Sequence, residues 1–148
     1  MDTKIVLPEG LIKVCNGDAT MENIEQDVPL MVFYNSPSTC TSCALNHLNE
    51  WSDSVLALEA EGKCRVIVVF SPLPEFLAEM TESIREMNFS FPVYVDPVRN
   101  FERLNVNFPE DLRFHCFLLG MDGYPAFVGN PFLTKELRKV FDAALKNL

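Results

Sequence analysis

The chain is short of positive charge. Its 148 residues carry 12 Lys and Arg against 21 Asp and Glu, a formal net charge of -9. Binding to nucleic acid or to an anionic membrane surface draws on clustered cations, so neither is an expected main partner. No segment approaches the roughly 20 apolar residues of a membrane span, so no span is expected. Residues 1–10 hold Asp2, Lys4 and Glu9 and lack the long apolar core of a secretion signal. Two localisations stay open: a cytoplasmic protein, or a mature extracytoplasmic fragment behind a new initiator Met. Glycine is scarce, at 6 residues, and none of it forms a glycine-rich phosphate loop. No Ser-His-Asp order, paired-carboxylate pattern, internal repeat or low-complexity linker stands out. Cysteine is odd in number, at 5, whereas a disulfide scaffold uses an even set and a chain of this size needs no staples. Cys15, Cys64 and Cys116 are therefore expected to be reduced, packed thiols.

What is present suits one domain over residues 1–148, with 1–28 an irregular N-terminal extension holding a possible leading strand at Leu11–Val14. Hydrophobic residues make up 48% and charged residues 22%, enough for a proper core. Leu30 to Tyr34 and Arg65 to Phe70 are continuous apolar runs of the kind that suit strands buried on both faces. Between them, Leu45, Leu48, Val55 and Leu56 fall at helical spacing and predict one long helix that stops at Gly62. Leu77, Met80, Ile84 and Met87 predict a second helix, opened by Pro74. Phe91–Val95, a helical turn at Phe101–Leu104, and His115–Leu119 follow, with a hairpin through Met121–Tyr124 into Pro125–Val128. A last helix is capped by Thr134, with Leu137, Val140, Phe141, Ala144, Leu145 and Leu148 as its buried stripe. The expected fold class is α/β, a mixed central sheet with helices on both faces.

The chemistry concentrates at Cys40-Thr41-Ser42-Cys43, where the first confident strand hands over to a helix. Two thiols three positions apart can close a small disulfide ring. The unpaired N–H groups and the dipole of a helix start favour a thiolate on the first sulfur. CxxC at a strand-to-helix junction within a βαβ pattern points to redox chemistry. A metal reading competes: Cys40, Cys43 and His47 have ligand-like spacing, and His115 could complete a set suited to copper or zinc. Asp96, Glu110 and Asp111 read as solvated loop charges, and Phe89, Phe91 and Phe114 as rings that could line a groove beside the CxxC. No cofactor is expected.

This order of elements resembles the thioredoxin-like superfamily over about Pro29 to Leu148. The inserted helix and strand between Ser71 and Val95, and the Phe117–Gly123 strand and turn, are similar to the TlpA and ResA group of thiol-disulfide oxidoreductases. The resemblance implies that Cys40 attacks, that Cys43 resolves, and that the substrate is a protein thiol or disulfide served by a redox partner protein. Members of that group work outside the cytoplasm, commonly in the periplasm. The position facing the two sulfurs falls near His115, which makes His115 the expected proton shuttle. The chain departs from the family pattern in several places. Thr39 stands where thioredoxins carry Trp, and Thr41-Ser42 replaces the usual intervening pairs. No Pro occupies the cis-proline slot, and Val32 and Phe33 occupy the place of the buried carboxylate. The T-x-x-C pattern of peroxiredoxins is missing, since Cys40 itself takes the Thr slot relative to Cys43. The alternative to an oxidoreductase is a non-catalytic or metal-binding module on the same fold.

Overall fold

A computed structural model describes residues 3–148. Its centre is one seven-stranded mixed sheet: β1 (Ile12–Cys15), β2 (Asp18–Met21), β3 (Leu30–Asn35), β4 (Arg65–Phe70), β5 (Val93–Val95), β6 (Cys116–Leu119) and β7 (Pro125–Val128). The spatial order is β2-β1-β5-β4-β3-β6-β7. β3, β4 and β5 run parallel, and the flanking strands pair antiparallel. The two apolar runs, β3 and β4, lie side by side in the middle, where both sheet faces are covered.

The helices are α1 (Thr41–Glu50), α2 (Ser52–Ala60), α3 (Leu77–Met87), α4 (Asn100–Leu104) and α5 (Lys135–Lys146). Helices cover both faces, as expected, but unequally. Leu45 and Leu48 of α1, Val55 and Leu58 of α2, Ile84 of α3 and Phe141 of α5 share one core with Phe33, Val68 and Leu118. The other face is closed by Phe101 of α4, by Phe108, and by Ile5, Leu11 and Ile24 of the N-terminal segment, packed on Val32, Tyr34 and Phe117. Strand alternation sends Phe33 to the first core and Val32 and Tyr34 to the second.

Several expectations are corrected. The long helix is two, because the backbone leaves the helical region at Trp51 (φ -90°, ψ 1°). No Pro or Gly lies there; the Trp51 ring instead packs 6.3 Å from both Phe33 and Phe132, which belong to distant parts of the chain. The leading strand gains a partner, β2, through Asn16 and Gly17, both at positive φ, the two-residue turn that right-twisted hairpins favour. Of the expected stripe, Val140 is 57% exposed and Leu148, beyond the end of α5, 54%, leaving Phe141 as its fully buried member. Asp96 is not a solvated loop charge. It is 0% exposed and accepts hydrogen bonds from Ser71 Oγ and from the backbone N–H groups of Asn100 and Phe101 at the start of α4. The β6–β7 turn closes as expected, with Gly123 at φ +86° and Asp122 Oδ1 accepting from the Tyr124 N–H.

Candidate active site

β3 ends at Asn35 and a short loop, 36–39, delivers Cys40 to the N-cap of α1. Cys40 and Cys43 are joined by a disulfide, with Cα atoms 5.3 Å apart. Both residues are exposed. Cys40 Sγ accepts the Cys43 N–H at 3.4 Å and lies 3.6 Å from Ser42 Oγ. One orphan N–H of the helix start is thus aimed at the Cys40 sulfur, the arrangement that stabilises a thiolate there once the disulfide opens. No acidic residue stands in the first turn of α1 to oppose that charge.

The disulfide forms part of the wall of a cleft of about 240 Å³. Phe33, Val68 and Phe70 of the sheet supply one side, and His47, Leu48 and Trp51 of α1 and its end supply the other. Phe132 closes it, stacked on Phe33 with ring centroids 5.9 Å apart. Asn130, buried, fixes Phe132 by accepting its N–H at 2.8 Å. Among the described residues, no Asp, Glu, Lys or Arg lines this cleft. The rings expected beside the CxxC are elsewhere: Phe89 and Phe91 stack on each other in the buried core, and Phe114 does not reach the cleft.

The expected site residues do not all meet. His115 ends the short helical turn 112–114 (φ -85°, ψ -2°) and Cys116 opens β6, and the two line different clefts. Cys116, paired with Phe33 across β3 and β6, lines the cleft; burial pushes its thiol up to about 11. His115, 6% exposed, faces the other core between Tyr34 and Phe108. Its Nε2 lies 2.9 Å from the Pro109 carbonyl oxygen. A carbonyl only accepts, so Nε2 carries the hydrogen; Nδ1 is buried with no partner among the described residues. His115 lines a second cleft, with Ser36, Ser38, Arg99 and Glu102, on the far side of β3 from the disulfide. Nor does the structure gather Cys40, Cys43, His47 and His115 into a metal site. Among the described residues, no group of three or more His, Cys, Asp or Glu is arranged to hold an ion. The physical reason is the sheet itself, which separates His115 from the helix that carries the other three. No cis peptide occurs among the described residues.

No family model matches the chain, and no curated protein matches it. Solved structures do. A thioredoxin-like protein in the oxidised form superposes with a TM-score of 0.58 at 18% identity, over 99% of both chains. The fold is thioredoxin-like. Within that fold the likeness is broad. A putative thiol:disulfide interchange protein DsbE from Chlorobium tepidum gives 0.57 at 13% identity, over 98% of this chain and 99% of that one. AhpC from Enterococcus faecalis gives 0.59 at 17% identity, over 97% and 91%. These near-equal scores do not single out the TlpA and ResA group. In this chain the thioredoxin-like fold carries the Cys40–Cys43 disulfide at the N-terminus of α1. Among the described residues, no helix is long and apolar enough to cross a membrane.

Proposed function

We propose that this protein is a thiol-disulfide oxidoreductase that exchanges with the thiol or disulfide of another protein. One observation carries the reading: an exposed Cys40–Cys43 disulfide whose first sulfur caps α1 and accepts the Cys43 N–H. In the reducing direction, the Cys40 thiolate attacks a substrate disulfide and a mixed disulfide forms. Cys43 then attacks Cys40 Sγ, and the second substrate thiol leaves. The substrate gains two electrons and two protons; the protein dithiol becomes the disulfide. A separate redox partner protein must restore the starting state. The DsbE-like neighbour supports this class of chemistry, and the uncharged aromatic cleft supports a substrate with a bulky apolar side chain beside its cysteine.

The test is the reduction potential of the pair in glutathione buffers, with free thiols trapped and counted. A single two-electron midpoint, abolished in Cys43→Ser, is the expected result. No reversible disulfide across the accessible range overturns the reading and leaves a binding module on the same fold.

A further inference from the structure

Resolution of the mixed disulfide requires that Cys43 lose a proton as its sulfur attacks. In this chain no carboxylate is available for that among the residues lining the cleft. His115 is on the other side of the sheet, with Nε2 bound to the Pro109 carbonyl. We infer that His47 exchanges the proton with Cys43. The inference rests on the oxidoreductase reading and deepens it.

The geometry is that of one helix face. Cys43 and His47 are four positions apart on α1, which brings their Cβ atoms to about 6 Å. Both line the same cleft, and both are exposed, so the imidazole can return its proton to water. Trp51, one turn further on, holds the ring: the His47 and Trp51 centroids are 5.4 Å apart. Besides Cys40, the cleft is lined by Cys116 of β6 and by Tyr34 of β3, whose hydroxyl lies in the second core and donates to Glu102. Burial raises Tyr34, and it pushes Cys116 up to about 11, so both hold their protons at neutral pH. On α1 itself, Glu50 lies three positions from His47 and is exposed. Imidazole is the side chain whose ordinary chemistry trades protons at such pH.

The step balances as follows. As Cys43 Sγ bonds to Cys40 Sγ, its proton passes to a His47 ring nitrogen. The bond from Cys40 Sγ to the substrate sulfur breaks with its electron pair. The departing substrate thiolate takes up a proton, from the imidazolium or from water.

A symmetric aromatic disulfide such as DTNB separates the two steps, because attack by Cys40 releases one coloured thiolate and resolution by Cys43 releases the second. Stopped-flow traces of the reduced protein are compared for wild type, His47→Gln and His47→Ala. The expected result is a second phase slowed about tenfold near neutral pH in both variants, with the first phase little changed. Added imidazole restores the second phase of His47→Ala, which a merely structural role would not allow. A second phase within about twofold of wild type from about pH 6 to pH 8, or a loss that imidazole does not rescue, overturns the inference while leaving the oxidoreductase reading intact. A wild-type protein that shows no second phase at all overturns both.

Discussion

Asp96 is a fully buried carboxylate that makes no salt bridge among the described residues; three hydrogen bonds hold it. Its oxygens accept from Ser71 Oγ and from the first N–H groups of α4, so it ties the end of β5 to the helix that closes the second core. Asp96→Ala leaves those buried donors unpaired and is expected to cost about 3 kcal/mol in urea unfolding, with Asp96→Asn costing less because an acceptor remains. Two further single residues set a pH limit. Burial pushes the thiols of Cys64 and Cys116 up to about 11 from an ordinary value near 9. The folded protein therefore holds these protons after the unfolded chain has released them. Their contribution to stability is complete below about pH 9 and is lost as pH rises towards about 11. Unfolding midpoints across that window should fall with pH, and fall less in a Cys116→Ala variant. The same local reasoning explains why His115 was misplaced from the sequence. The apolar run predicts a strand from His115, but β6 starts one residue later: His115 stays in the helical turn before it (φ -85°, ψ -2°), which lays its ring against Tyr34 and Phe108.

At the scale of elements, α5 is the clearest case of a helix written locally. Thr134 Oγ1 accepts the Leu137 N–H at 3.1 Å, and Glu136 stands in the first turn, where the dipole favours it. Thr134→Ala is expected to cost about 1 kcal/mol, read as a shift of the denaturation midpoint at constant slope. The break between α1 and α2 is the opposite case. Trp51 is an ordinary helix residue, and nothing in its neighbourhood of sequence stops a helix. What bends the chain is the docking of its ring against Phe33 and Phe132, and those contacts exist only once the sheet is assembled. β2 lies between the two. All four of its residues are exposed, so no hydrophobic pattern betrays it, but Asn16-Gly17 before it is a strong hairpin signal that could have been read.

For the molecule as a whole, charge and topology make separate statements. A net charge of -9 surrounds a cleft that carries no charged lining residue. Anionic small disulfides are therefore repelled on approach, whereas neutral peptides are not. The rate of exchange with oxidised glutathione should rise as salt is added from about 0.01 to 0.2 M, while exchange with an uncharged peptide disulfide should barely change. A flat salt response for glutathione would mean that the field at the sulfurs is not set by net charge.

The sequence by itself determined the α/β class, the central pair of strands, the placement of CxxC at a strand-to-helix junction and the capped last helix. Each of these is written in neighbouring residues: apolar runs, helical spacing, a thiol pair, a capping Thr. Only the tertiary structure decided which face of the sheet each residue serves. That choice sent His115 away from the disulfide, brought Cys116 to its cleft, buried Asp96 and bent the helix at Trp51. These depend on contacts between segments far apart in the chain, and hydrophobic pattern alone does not state which of two buried faces a strand residue will meet.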